Sequence, residues 1–400
     1  GADDIVCRVS EVPIEEEFAD DASATGQAGD ASENGDSGEK RVSWAELFFD
    51  LVFVLAVTEI SSLLHVDHSW AGAGRALVLF VPIYWAWVGI SIYVNTHAAD
   101  DPSSRVGIFA VGLAGMLMAL AVPDAFGDRG VLFGASYFGA RIVMGWLMFR
   151  GDGIFLSPFA IALFFSGPLL LLGGLLPYSP RIAIWAVVAF VDLSTPTTLR
   201  KRLQNMRFQP GHLAERFGLF LLIAIGESVA AIGATAASRA HIGLDVLVAV
   251  ALAFVLAGGL WWVYFQYAAD AMRFALATAE VQTVISRHVL TYGHLPFIGA
   301  IITVAVGMRE VIANPSTPLG WAVTALLYGG CAIYLATFNY TRWKMFRKWS
   351  PTRSAGAVAV GVLLPAAPFL PGVVALAMLA VVLVALNVVE YLRVKRAGGL

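Results

Sequence analysis

From Ser43 onward the chain is a succession of apolar stretches, each about 20 residues long, separated by short polar segments. A stretch of that length spans the ~30 Å hydrocarbon core of a bilayer as an α-helix. Hydrophobic residues make up 58% of the chain and charged residues 14%, so a water-soluble fold would lack polar surface. The pattern therefore predicts an all-α, polytopic integral membrane protein that contacts the lipid bilayer.

About twelve stretches are predicted to cross the membrane. The segment 181–197 is short, and prolines at 365, 368 and 371 separate the last two stretches. If that last pair is one re-entrant hairpin, the number of full spans falls. The predicted spans are 44–64, 74–96, 104–122, 129–149, 154–176, 181–197, 213–236, 244–268, 284–308, 319–341, 355–371 and 372–394.

The basic residues of the loops predict the orientation. Assigning successive loops alternately to the two sides places 17 Lys and Arg on one side and five on the other. Because basic loops stay in the cytoplasm, this split favours an even number of spans and cytoplasmic N- and C-termini. The same residues are scattered over many short loops and form no single patch, so no nucleic-acid partner is predicted.

Three parts of the chain differ in organisation. Residues 1–42 hold 12 of the 29 acidic residues and little apolar surface, which predicts a disordered, acidic cytoplasmic tail. Six predicted spans lie in 43–210 and six in 211–400. A shift of 168 positions aligns the first span with the seventh and Glu59 with Glu227, so we expect two parallel six-helix repeats.

Ionisable side chains within apolar spans are the candidates for function, because their burial is costly. Asp50 and Arg141 have similar predicted depths, so the sequence predicts a buried ion pair between them. Glu59 and Glu227 also match in depth and would hold a proton or cation between them, or else pin helices together. His294 is either a proton relay or a hydrogen-bonded structural residue. The candidate pathway residues are Glu46, Asp50, Glu59, Arg141, Glu215, Arg216, Glu227 and His294.

Motifs of soluble enzymes are missing from the sequence. It contains no Walker A, Gly-X-Gly-X-X-Gly, His-Glu-X-X-His or Gly-X-Ser-X-Gly pattern. Cys7 lies in the polar tail and Cys331 in an apolar stretch, so neither a disulfide nor a cysteine metal site is expected. The sequence predicts no cofactor and no metal site, and it favours a protein that is not an enzyme.

Two stretches resemble the signatures of one bacterial family. The first runs Ser43-Trp-Ala-Glu-Leu-Phe-Phe-Asp-Leu-Val-Phe-Val-Leu-Ala-Val57, and the second runs from His212 through Gly226-Glu-Ser228. Their order and separation resemble the low temperature requirement A family over residues 43–396. The resemblance implies a multi-pass protein of the bacterial inner membrane that is linked to growth in the cold. It marks Glu46, Asp50, Glu215, Arg216 and Glu227 as signature positions, omits Glu59, and assigns no molecular activity.

Three functions are compatible with these observations. The first is transport of a proton, an ion or a small solute, with protonatable Asp50, Glu59 and Glu227, and Arg141 as counter-ion. The second is a membrane-embedded enzyme acting on a lipid or isoprenoid, with Glu46, Asp50, Glu215 and His294 in a lateral cleft. The third is a non-catalytic protein that organises the membrane.

Overall fold

A computed structural model describes residues 42–97, 101–149 and 157–396, so the predicted acidic tail lies outside the described residues except for Val42. Within these ranges the chain is α-helical, and no β-strand forms. The helices are α1 Trp44–Val66, α2 Trp70–Thr96, α3 Pro102–Ala121, α4 Gly130–Phe149, α5 Pro158–Ile161, α6 Gly167–Gly174, α7 Tyr178–Thr198, α8 Arg200–Leu203, α9 Pro210–Ala237, α10 Leu244–Phe265, α11 Ala268–Thr278, α12 Gln282–Ile285, α13 Tyr292–Ala313, α14 Gly320–Phe346, α15 Pro351–Leu363 and α16 Gly372–Arg396.

Two π-helical turns join helices into longer rods. The turn Ala162–Ser166 connects α5 to α6, and the turn Ser286–Thr291 connects α12 to α13. The second rod therefore runs without a break from Gln282 to Ala313. A π turn inserts extra backbone into an α-helix and often marks a functional position.

Polar residues set the first turns of several helices. The Ser43 hydroxyl accepts a hydrogen bond from the Glu46 amide, and the Ser43 amide donates one to the Glu46 carboxylate, which makes a capping box for α1. Helices α5 and α15 begin with the same dipeptide, since Ser157 and Ser350 cap them and a proline follows. Proline suits the first helical position because its missing N–H would have no partner there.

Nine helical segments of the described ranges are long and apolar enough to cross a membrane. They are Trp44–Val66, Trp70–Thr96, Pro102–Asp124, Gly130–Met148, Pro210–Ala237, Leu244–Thr278, Gln282–Ala313, Gly320–Phe346 and Gly372–Arg396. The segment Pro158–Gly174 is apolar but shorter, and α15 has 13 residues, a length of about 20 Å at 1.5 Å per residue. The all-α membrane fold is confirmed, and the total of twelve spans stays a prediction.

Burial separates an inner pair of helices from an outer wall. The apolar window of α2 is 83% buried and that of Gln282–Ala313 is 72% buried, whereas only 39% of the α16 window is. Large apolar side chains such as Phe109, Phe190 and Phe254 point away from the protein interior. A surface this apolar suits contact with lipid tails, so the outer wall is the surface that meets the bilayer.

The helices pack in the same order in both parts of the chain. In the first part, α1 contacts α2 and α3, α3 contacts α4, α4 contacts α6, α6 contacts α7, and α7 contacts α2. In the second, α9 contacts α10 and α13, α13 contacts α14, α14 contacts α15, α15 contacts α16, and α16 contacts α10. The two sets meet where α1 touches both α9 and α13 and where α2 touches α9.

Candidate functional site

The candidate site follows the boundary between the two sets of helices, between α1, α2, α9 and α13. We call the end of the bundle at which α1 begins the near end, and the end at which α1 finishes the far end. Helices α1 and α9 run in the same direction, because the first turns of both meet in one group of charges. From the near end to the far end, the boundary holds a charge cluster, an aromatic layer, a cavity and a rim.

The charge cluster is formed by Glu46 and Asp50 of α1 and by His212 and Arg216 of α9. Nη1 of Arg216 lies 2.9 Å from Oε2 of Glu46, and its Nη2 lies 2.8 Å from Oδ1 of Asp50. Nε2 of His212 lies 3.0 Å from the same Glu46 oxygen. Each helix contributes residues four apart, which lie on one helical face. All four side chains are at most 1% exposed, so these charges are paired inside the protein rather than in water.

Helix α2 completes the polar surroundings of the cluster. The indole Nε1 of Trp87 donates to Oδ1 of Asp50 at 2.8 Å, and Nη2 of Arg216 lies 3.3 Å from the Ser91 hydroxyl. Oδ2 of Asp50 and Nε of Arg216 are buried and have no hydrogen-bond partner in the part of the chain that the structure describes. The cluster therefore pairs two carboxylates with one guanidinium. Oδ2 of Asp50 is the carboxylate oxygen that is available to carry a proton.

Asn95 fixes the tautomer of His212. The Asn95 carbonyl oxygen accepts from the backbone amide of Gln209 at 3.0 Å, which leaves its Nδ2 to face Nδ1 of His212 at 3.0 Å. Because Asn95 Nδ2 is a donor, His212 Nδ1 accepts and its hydrogen is on Nε2. The imidazole then donates from Nε2 to Glu46, and the three helices are connected by one network.

An aromatic layer lies directly beyond the charge cluster. Trp87 stacks on Phe220 with ring centroids 4.3 Å apart and contacts Phe217 edge to face at 5.0 Å. Phe53 meets Phe220 at 6.4 Å, and Tyr84 meets it at 6.2 Å. All five side chains are buried, so they separate the charge cluster from the space beyond it.

A cavity of about 500 Å³ occupies the far half of the same boundary. Small and apolar side chains of α1 and α9 form most of its wall. Its polar groups include Glu227, which is 7% exposed and lies within hydrogen-bonding reach of Thr58, and the guanidinium of Arg309 on α13. The lining residues are Val54, Thr58, Ser62, Ile223, Gly226, Glu227, Ala230, Ala231, Ala234, Thr235 and Arg309.

At the far rim, beyond the cavity, three side chains of metal-ligand type come together. His65 lies in the last turn of α1, His68 follows in the loop, and Glu310 neighbours the cavity residue Arg309 on α13. Sequence reasoning missed this group because Glu310 is more than 200 residues from the histidines. The signal that was available is the His65-X-X-His68 spacing at the end of a span.

The predicted pair Asp50–Arg141 is wrong, because Asp50 takes its cation from α9. Nη2 of Arg141 instead donates to the Tyr137 hydroxyl at 2.9 Å. The same hydroxyl donates to Asp192, which also accepts from the Ser166 hydroxyl at 2.5 Å. These residues form a second buried polar group inside the first set of helices, away from α9.

Two other predicted candidates do not enter the charge cluster. Glu215 is exposed, although its neighbour Arg216 is fully buried. Nε2 of His294 faces the Tyr264 hydroxyl at 2.7 Å, and its Nδ1 lies 2.9 Å from the Leu290 carbonyl oxygen. His294 is thus a buried residue whose two ring nitrogens are both engaged.

The predicted partnership of Glu59 with Glu227 does not appear among the described contacts. Glu227 lines the cavity, whereas Glu59 is half-buried on α1 and is absent from the cavity wall. No hydrogen bond or ion pair between the two carboxyl groups occurs in the part of the chain that the structure describes. Thr58, the residue before Glu59, faces Glu227 instead.

The family described as bacterial low temperature requirement A protein (LtrA) matches residues 41–388, a range that includes every helix of the candidate site. The chain belongs to this family. An LtrA relative in Rhizobium meliloti (strain 1021), uncharacterized protein RA0937, is 29% identical over 375 residues, which cover 89% of this chain and 90% of that protein. No solved structure matches the chain. The charge cluster of this LtrA protein falls on the two signature stretches that first suggested the family.

Proposed function

We propose that this LtrA protein transports a proton, an ion or a small solute across the membrane. One observation carries the proposal: a cavity with a buried carboxyl group lies along α1 and α9, and these same helices are closed by aromatic rings and paired charges toward the near end. Alternating access needs a binding space that is shut on one side at a time. The arrangement supports a state that is closed at the near end.

Irregular helix geometry supports motion at this boundary. Pro82 lies inside α2, Pro296 lies inside α13, and the π turn Ser286–Thr291 precedes α13. The Tyr84 hydroxyl of the aromatic layer donates to the carbonyl oxygen of Thr291 in that π turn at 2.7 Å. Kinks and π turns are positions where helices bend, so the layer is connected to a segment that can change shape.

We place the protein in the bacterial inner membrane with both termini in the cytoplasm, because of the 17-to-5 distribution of basic loop residues. The near end is then cytoplasmic, and the cavity lies toward the outside. We also interpret the chain as two parallel six-helix halves, residues 43–210 and 211–400, after the acidic tail. The repeated packing order and the two Ser-Pro helix starts support this interpretation.

The lipid-enzyme hypothesis loses support from the positions of its residues. It required Glu46, Asp50, Glu215 and His294 to line one cleft. Glu46 and Asp50 are paired inside the protein, Glu215 is exposed, and His294 is enclosed by Tyr264 and other aromatic side chains. No observation favours the membrane-organising role over transport.

Purified protein in liposomes tests the transport proposal. We expect flux of protons, a monovalent cation or a small metabolite down an imposed gradient, measured with dyes or labelled solutes. Glu227→Gln should reduce that flux at least about tenfold, which corresponds to ~1.4 kcal/mol in the barrier. Glu59→Gln is the matched control, because it neutralises a carboxyl group in the same span that does not line the cavity. Absence of any flux, or equal flux in both variants, would contradict the proposal.

A further inference from the structure

The far rim holds two imidazoles and one carboxylate whose donor atoms lie close together. Nδ1 of His65 lies 3.0 Å and Nε2 of His68 lies 3.5 Å from the same oxygen, Oε1 of Glu310. Both nitrogens are shielded from solvent, and neither makes a hydrogen bond of regular geometry with any of the described residues. The two imidazole rings meet edge to face, with centroids 5.8 Å apart. Three donor atoms thus converge within 4.8 Å of one another.

We propose that His65, His68 and Glu310 bind a divalent transition-metal ion, with Zn²⁺ the best match. Zinc takes imidazole nitrogen and carboxylate oxygen at about 2.0–2.2 Å in a tetrahedron. Ligand atoms of such a tetrahedron are separated by roughly 3.3 Å, from the same bond lengths. The distances of 3.0 and 3.5 Å to Glu310 lie on either side of that value. Two nitrogen ligands favour zinc over Mg²⁺ or Ca²⁺, which take oxygen ligands.

Short segments with little freedom bring the donors together. His65 is fixed in the last turn of α1, and only Val66 and Asp67 separate it from His68. Glu310 is three residues from the end of α13, and α1 packs directly on that helix. The site therefore joins the first set of helices to the second at the end opposite the charge cluster.

The charges around the rim are compatible with a bound cation. Asp67 is not a ligand in this arrangement, because it pairs with Arg75 and accepts from the Ser69 amide at 3.0 Å. Arg309 is the cation that faces His65, and it also interacts with the Glu227 carboxyl group of the cavity. The Glu227 carboxyl group therefore counters the positive charge of Arg309, which reduces the repulsion between Arg309 and a bound metal ion.

Three protein ligands leave one tetrahedral position for water or an anionic group of a solute. Because Arg309 belongs to the cavity wall and Glu310 to the metal group, the ion would lie at the far-end boundary of the cavity. The proposal goes beyond transport and does not depend on it. A protein that moves nothing would still bind the metal.

Metal binding by the full-length, untagged protein in detergent tests the proposal. We expect one Zn²⁺ per chain by equilibrium dialysis with elemental analysis, and a higher midpoint of thermal unfolding when Zn²⁺ is present. His65→Ala, His68→Ala and Glu310→Gln should each weaken binding at least about tenfold, since even outer partners of a metal site cost that much. Excess Mg²⁺ or Ca²⁺ should not displace the zinc.

His241→Ala is the control, because His241 is an exposed histidine in the loop that follows α9 at the same end of the bundle. It should bind zinc like the wild type. Co²⁺ bound to the wild type should give the intense visible absorption of a tetrahedral site, a readout that does not depend on any variant folding. Unchanged zinc binding in the three ligand variants, loss of binding in His241→Ala, or an octahedral cobalt spectrum would each overturn the proposal.

Discussion

The same two helices, α1 and α9, are tightly packed at the near end and separated by a cavity at the far end. The difference follows from side-chain volume along α9. Its near half presents Arg216, Phe217 and Phe220 to its neighbours, whereas its far half reads Gly226-Glu-Ser-Val-Ala-Ala-Ile-Gly-Ala-Thr-Ala-Ala237. Large side chains fill the space between helices, and small ones leave it open. One helix pair thus contains both a closed and an open segment.

The two ends also differ in the burial and pairing of their charged side chains. At the near end, two carboxylates and a guanidinium are at most 1% exposed and connected by hydrogen bonds. At the far end, Arg309 borders the cavity and makes no ion pair among those found in the described residues. Removing one partner of a buried network strands a charge, whereas a charge beside an open space keeps access to water. Mutations at the two ends should therefore have different consequences.

The largest contrast is expected in chemical accessibility. In a background of Cys7→Ser and Cys331→Ala, a polar maleimide should label Ala230→Cys in the cavity and leave Ser91→Cys in the charge cluster unlabelled. Labelling of intact cells from outside would also test the proposed orientation. Ser91→Cys should react once detergent denatures the protein. Equal labelling of both positions in folded protein would remove the distinction between the two ends.

The next largest effect is on stability. Arg216→Met should lower the free energy of unfolding by about 3–5 kcal/mol, because two buried carboxylates lose their cation. Arg309→Met should cost less, about 1 kcal/mol, because Arg309 is half-buried at the cavity wall and makes no ion pair among the described residues. Denaturant titration in micelles measures both. Arg216→Lys should recover part of the loss, and similar losses at the two positions would contradict the comparison.

A smaller effect is expected from the indole that binds Asp50. Trp87→Phe removes a hydrogen bond to a charged group, which contributes about 1.5–3 kcal/mol. Trp85→Phe is the control, because it removes the same volume from the same helix at a tryptophan that stacks on Tyr292. The difference between the two unfolding free energies measures the hydrogen bond. If both variants lose equally, Trp87 contributes through packing alone.

The smallest effect concerns the start of α1. Ser43→Ala removes the helix cap and the hydrogen bond from the Ser43 hydroxyl to Glu46, at 2.9 Å. Loss of a serine cap costs about 0.5–2 kcal/mol. Ser157→Ala removes the cap of α5, where the serine hydroxyl makes no hydrogen bond to a carboxylate among the described contacts, so Ser43→Ala should cost more. Thermal unfolding of the two variants measures the difference between their losses of stability.

The length of each apolar stretch predicts a membrane-spanning helix, but it does not predict which helices pack against one another. The spans were recognisable because each must bury about 20 apolar residues in lipid. The Asp50–Arg141 pair failed because equal depth does not make two helices adjacent. Arg141 faces Tyr137 within the first set of helices, whereas Asp50 faces α9. These helices are apolar all round, so periodicity does not reveal which face meets which partner.

The helical repeat could have corrected one site assignment. Glu46 and Asp50 are four apart, and so are His212 and Arg216, which places each pair on one face. Glu215 is one residue before Arg216 and is therefore turned by about 100°. It is exposed in the structure, while His212, which was not among the predicted pathway residues, belongs to the cluster.

The π turn Ser286–Thr291 fixes the rotational phase of everything that follows it on α13. Each residue added to or removed from an α-helix rotates the remainder by about 100°. If the turn lost one residue, Glu310 would swing away from His65 and His68, and Arg309 would leave the cavity wall. The register of the far rim is therefore determined some 19 residues earlier, beside the aromatic layer, about 28 Å away along the helix.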